Sequence, residues 1–172
     1  MSDMHLAGNL LDTGFTMTQF GAPLLLVCAL ILVAVHTVER KRSAPPSDDR
    51  ARMGNTSAAI SGVVAGILLW LVWFSWAPPG SIAPVLAVGA TVSAFAVLVW
   101  LGNRTRWPWT GPFTVALGGL SSLTTAYAVD ADGADITGLW ALGYLMMTVG
   151  GVIVLTVICL GIVVVRSDDW KR

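Results

Sequence analysis

The sequence predicts an all-α membrane protein, a bundle of five transmembrane helices with its N-terminus outside the cytoplasm and its C-terminus inside. Three observations lead there: the composition, the five long apolar runs, and the placement of the basic residues. Of 172 residues 55% are hydrophobic and only 12% charged, whereas soluble domains carry roughly 25% charged residues. A chain this short cannot hide so much apolar surface in a single core surrounded by water. Lipid is therefore the expected solvent, and one compact membrane domain the expected organisation.

The apolar runs cover residues 20–38, 58–76, 82–101, 111–129 and 136–165, and none contains Asp, Glu, Lys or Arg. Each is close to or above the roughly 20 residues that a helix needs to cross the hydrocarbon. Helices are preferred to a barrel because backbone groups in lipid must be satisfied within the segment, and the runs lack the alternation of barrel strands. Between residues 54 and 103 there is no charge at all, and Pro78, Pro79 and Gly80 interrupt the stretch, which predicts a helical hairpin with a tight turn. The fifth run exceeds one crossing, so its helix should tilt or begin on the outer surface. Residues 1–19 form an outer N-terminal segment and residues 166–172 a cytoplasmic tail. A cleaved signal peptide is not expected, because the first basic residue, Arg40, comes after the first apolar run.

Orientation follows from charge. Arg40, Lys41, Arg42, Arg50 and Arg52 lie between runs 1 and 2, Arg104 and Arg106 between runs 3 and 4, and Arg166, Lys171 and Arg172 after run 5. Five crossings place all of these on one face, which the positive-inside rule assigns to the cytoplasm. Asp3, Asp12, Asp130, Asp132 and Asp135 fall on the other face. Trp76 and Trp140 at outer ends, with Trp100, Trp107, Trp109 and Trp170 at inner ends, give the aromatic belt of a bilayer protein. Trp70 and Trp73 sit deeper, in step with Trp76, and read as a packing ridge.

The chemistry is sparse. Net charge is zero, so no nucleic-acid partner is expected. Coupled transporters and pumps need ionisable groups at membrane depth, and the nearest candidate is His36, three residues before Glu39 at the inner end of run 1. It reads as an interfacial histidine in reach of headgroups or water. Asp130, Asp132 and Asp135 form a fragment of a calcium-loop pattern without its later glutamate, and read as a solvated turn. Met1, Met4, His5 and Met17 are soft copper-type ligands, but Leu6, Leu10 and Phe15 suggest a segment lying on the outer leaflet. Cys28 and Cys159, both within apolar runs, read as small buried hydrophobes. No catalytic residue, metal site or cofactor is expected.

Helix packing gives a clearer signal. Ala58, Gly62 and Gly66 form a small-residue stripe on run 2, joined by Ala83, Ala87 and Thr91 on run 3 and by Gly143 and Gly151 on run 5, a spacing that lets backbones approach closely. Intramolecular packing is expected ahead of oligomerisation. On run 4, Thr114, Gly118, Ser121, Ser122 and Thr125 share one face, which can pack against neighbouring helices or line a polar path.

The expected role is a non-catalytic subunit or accessory protein of a larger membrane complex, in the bacterial plasma membrane, with a membrane-protein partner or a homo-oligomer beside it. The alternative is an oligomeric small-solute channel or permease component using the hydroxyl face of run 4. A membrane enzyme with interfacial carboxylates is a third class.

Overall fold

A computed structural model describes residues 21–42, 52–76, 84–134 and 140–169. Among the described residues five α-helices follow one another: α1 (Ala22–Arg42), α2 (Asn55–Trp73), α3 (Pro84–Asn103), α4 (Thr110–Ala134) and α5 (Trp140–Asp169). The hairpin turn expected at Pro78–Gly80, the N-terminal segment 1–19 and Ala83 lie outside the described residues, as do Asp135 and Trp170.

The helices begin where local chemistry permits. Pro84 opens α3 and Pro112 falls in the first turn of α4, positions where the missing N–H of proline costs nothing. Gly54 precedes α2 in extended backbone, and its carbonyl accepts from the Ala58 N–H at 2.9 Å.

Every helix is shifted by a few residues from the expected run, and two of these shifts change what the ends contain. Helix α1 continues past Val38 to Arg42, which carries Glu39 inside the helix. Helix α4 continues through Asp130 and Asp132 to Ala134, so that stretch is helix and not a turn.

Tertiary contacts fix the relative directions of the helices. Met53, just before α2, bridges to Thr105, just after α3, and Arg166 late in α5 donates to Gly102 at the end of α3. Glu39 at the end of α1 binds the start of α4. These bonds gather the C-terminal ends of α1, α3 and α5 with the N-terminal ends of α2 and α4, so successive helices run antiparallel. The described basic residues Arg40, Lys41, Arg42, Arg52, Arg104, Arg106 and Arg166 all belong to this end.

Among the described residues four helices are long and apolar enough to cross a membrane: Ala22–Lys41, Asn55–Trp73, Val85–Asn103 and Ala141–Arg166. Helix α4, with 25 residues, is long enough by the rise of about 1.5 Å per residue, but its hydroxyls and glycines make it less apolar. It is the central element, touching each of the other four helices and packing most extensively on α2. Neighbouring helices cover it, which removes the need for an apolar surface.

The main core lies toward the basic end, built from Ala58, Leu98, Leu101, Val115, Ala116, Cys159 and Ile162, and a smaller cluster of Ala128 and Tyr144 lies toward the other end. Large aliphatic side chains such as Leu30, Val64, Val92 and Val157 are exposed around the outside. A perimeter of this kind suits contact with lipid or with another apolar surface.

Candidate functional site

The basic end holds the densest polar cluster of the described residues. Helix α4 starts after Trp107-Pro108-Trp109, and the first N–H groups of any helix have no partner within it. Glu39 supplies one from α1. Its Oε1 accepts from the Trp109 N–H at 2.9 Å, and its Oε2 accepts from the Thr110 N–H at 3.2 Å and from the Thr110 hydroxyl at 2.6 Å. A carboxylate at a helix N-terminus is also favoured by the helix dipole. The Glu39 side chain is only 4% exposed, so the cap is a buried, charge-assisted tie between two helices.

His36 lies one turn earlier on the same face of α1. Its Nδ1 is 3.1 Å from Thr110 Oγ1, 3.0 Å from Asn55 Nδ2 and 3.9 Å from Glu39 Oε2. Asn55, the first residue of α2, also donates to Thr110 Oγ1 at 3.2 Å. The Trp107 ring meets the imidazole edge-on, with centroids 5.0 Å apart. His36 is thus packed among α1, α2 and α4 through Nδ1, with 23% of its side chain exposed. Among the described residues two buried side-chain atoms have no hydrogen-bond partner, Asn55 Oδ1 and Arg106 Nε.

A second tie closes the same end. Arg166 Nη1 donates to Gly102 O at 3.1 Å and to Thr105 Oγ1 at 3.2 Å, and its Nη2 donates to Thr105 O at 2.9 Å. The guanidinium thereby adds a donor to the Gly102 carbonyl, which also accepts from the Thr105 N–H and hydroxyl, and binds the Thr105 carbonyl just beyond α3. Arg104 stacks over Trp100, 4.3 Å from the ring centroid.

The small-residue stripe of α2 faces α4. A Cβ at Gly62 would run into the Val115 carbonyl, and one at Gly66 into Ser122 Oγ and the Gly119 carbonyl. Ala58 is fully buried. Gly143 lies against the Tyr127 hydroxyl and Gly151 against Leu120, both on α4.

The polar face of α4 is likewise engaged. Thr114, Ser121, Ser122 and Thr125 donate to the carbonyls of Thr110, Gly118, Gly119 and Ser121 at 2.8, 2.9, 3.0 and 2.7 Å. A Cβ on Gly118 would come within 2.6 Å of the Ala59 carbonyl. Trp70 packs on Phe74 and edge-on against Tyr127, Trp73 covers Gly89, and Trp76 is exposed.

Two apolar cavities open on the perimeter. One, of about 410 Å³, lies between α1, α4 and α5 beside Cys28, Phe113 and Thr156. The other, of about 420 Å³, lies among α2 to α5 over Gly62, Gly66 and Gly151, with Ala87 and Thr91 on its α3 wall. Among the described residues no three His, Cys, Asp or Glu side chains stand close enough to share a metal ion. The thiols are free, Cys28 half-buried and Cys159 buried.

Glu39, Asn55 and Thr110 were not singled out by the sequence. The usable signal was the three-residue step from His36 to Glu39, which places both on one helical face beside the indoles of Trp107 and Trp109. No protein-family model matches the chain. No match is found among curated proteins or among solved structures.

Proposed function

We propose that this chain is a five-span, N-out and C-in protein of the bacterial plasma membrane that serves as a non-catalytic subunit or accessory protein of a larger membrane complex. The observation that carries the reading is how its polar side chains are used. The hydroxyl face of α4 bonds to its own carbonyls, while Glu39 and Arg166 tie helix ends together. Polar groups used in this way hold a scaffold in shape. The exposed aliphatic perimeter leaves broad apolar walls for a neighbour in the bilayer.

Five crossings are supported by the antiparallel order of the helices and by the gathering of the described basic residues at one end, which the positive-inside rule assigns to the cytoplasm. The 30 residues of α5 extend about 45 Å at 1.5 Å per residue. That exceeds a hydrocarbon core of about 30 Å, and tilt accommodates the difference.

The test is purification from native membranes in mild detergent with a C-terminal tag. A stoichiometric membrane-protein partner is the expected result. A homo-oligomer that passes small solutes in proteoliposomes would refute the subunit reading and favour a channel built on the face of Thr114, Gly118, Ser121, Ser122 and Thr125.

A further inference from the structure

Helix α1 is fastened at its two ends and stands clear in between. At the basic end Glu39 caps α4 through Trp109 and Thr110. At the other end Gly21, just before α1, lies against the Tyr144 ring of α5, where a Cβ would run into the aromatic carbons. From Gly21 to Glu39 the chain climbs roughly 27 Å at 1.5 Å per residue, close to the hydrocarbon thickness of about 30 Å. Between the two fastenings α1 rests on α4 and barely meets α5. The gap left there is the apolar cavity of about 410 Å³.

This cavity has the dimensions of one lipid chain. Its α4 wall runs from Trp109 at the basic end to Leu120, roughly 16 Å at 1.5 Å per residue and so about half of the hydrocarbon core. A cavity of about 150 Å³ holds benzene with its six carbons, so about 410 Å³ takes roughly sixteen carbons at the same packing. A helix, about 10 Å across with its side chains, needs roughly three times this volume over the same length. The lining is aliphatic and aromatic apart from Cys28, Thr110 and Thr156. Both hydroxyls are engaged within the protein, Thr110 donating to Glu39 and Thr156 to the Val152 carbonyl at 2.7 Å. Left empty, the walls would forfeit dispersion contacts, which a hydrocarbon chain supplies.

The mouth is basic. Arg40, Lys41 and Arg42 end α1, next to the Glu39 that holds the Trp109 backbone, and Arg40 and Lys41 are exposed. Trp109 lines the cavity and is 55% exposed, as suits an indole at headgroup level. Among the described residues the acids at this end are Glu39, buried in its cap, and Asp168 and Asp169 late in α5, against seven bases. We propose that the cavity between α1, α4 and α5 binds one anionic phospholipid, with an acyl chain along its walls and the phosphate at Arg40, Lys41 and Arg42. A basic mouth between membrane helices is the chemistry that recognises such a headgroup. The bound chain completes the contact between α1 and α5. Its leaflet is the cytoplasmic one, which rests on the orientation proposed above.

The experiment reconstitutes the full chain in nanodiscs of phosphatidylglycerol and phosphatidylcholine, in equal parts with matched acyl chains, and weighs the released protein by native mass spectrometry. The expected result is one retained phospholipid per chain, with phosphatidylglycerol favoured about fivefold or more, the ratio equivalent to the roughly 1 kcal/mol that one basic residue contributes beside anionic lipid. Joint replacement of Arg40, Lys41 and Arg42 by Gln should remove the preference and keep a bound lipid. Thr156→Phe, which fills the cavity, should remove the bound lipid of either kind. A parent chain that retains no lipid, or both lipids equally, would overturn the proposal, as would undiminished retention by a folded Thr156→Phe variant. Where Thr156→Phe does not fold, Cys28→Phe fills the same cavity from α1. An inverted orientation, read separately by thiol accessibility, would change the leaflet and leave this result intact, because both lipids are offered on both faces.

Discussion

Replacement of Glu39 by alanine tests whether α4 is capped from another helix. The substitution removes three hydrogen-bond acceptances at once, from Trp109 N, Thr110 N and Thr110 Oγ1. Trp109 is 55% exposed, so its N–H can recruit water, whereas Thr110 is 1% exposed and its donors are stranded. A buried donor without a partner costs about 1–3 kcal/mol, and loss of the anion from the helix N-terminus adds roughly 0.3–1 kcal/mol. A total near 3 kcal/mol corresponds to a fall in Tm of roughly 6–12 °C for a chain of this size. Cys159 offers the assay, because its free thiol is fully buried and reacts with a fluorogenic maleimide only as the bundle opens. In a Cys28→Ser background, the temperature of half-labelling in detergent should fall for Glu39→Ala and fall less for Glu39→Gln, which retains a carbonyl acceptor. A Glu39→Ala midpoint equal to that of the parent would show that the carboxylate is not holding α4.

Two further outcomes follow from packing and charge. Gly62→Leu and Gly66→Leu should each destabilise the bundle by about 1–3 kcal/mol through overpacking, because α4 backbone occupies the space at both positions. Gly150→Ala, whose Cβ would meet nothing within 4 Å, should unfold at the parent temperature in the same assay. In a cysteine-free background with single cysteines introduced at Ser47 and Gly133, an impermeant thiol reagent should label position 133 in intact cells and position 47 only after permeabilisation. The opposite pattern would invert the proposed topology.

The sequence by itself determined the helical class and, closely, where each helix lies, since charge-free runs of about 20 residues admit few alternatives to a helix in lipid. It was least accurate at the ends. The end of α1 was placed at Val38 because Glu39 is charged, and a charged residue is ordinarily kept out of a span. In the structure the three-residue step from His36 carries Glu39 onto the face that meets α4, where the N–H groups of Trp109 and Thr110 satisfy it. That partner lies 70 residues away in the chain, so no local pattern announces it.

The spacing of Gly62 and Gly66 was legible as a close-approach motif, because a backbone without a Cβ invites a neighbour whichever helix it proves to be. Only the tertiary structure decided that the neighbour is α4. The central place of α4 was legible only as an oddity of composition: Thr114, Gly118, Ser121 and Ser122 make it the least apolar of the five runs. Hydropathy measures a helix against lipid, while α4 is solvated mainly by α2, α5, α3 and α1. Sequence patterning therefore fixes what a segment can be in a bilayer, and tertiary packing decides which segment the others enclose and which distant groups complete its hydrogen bonds.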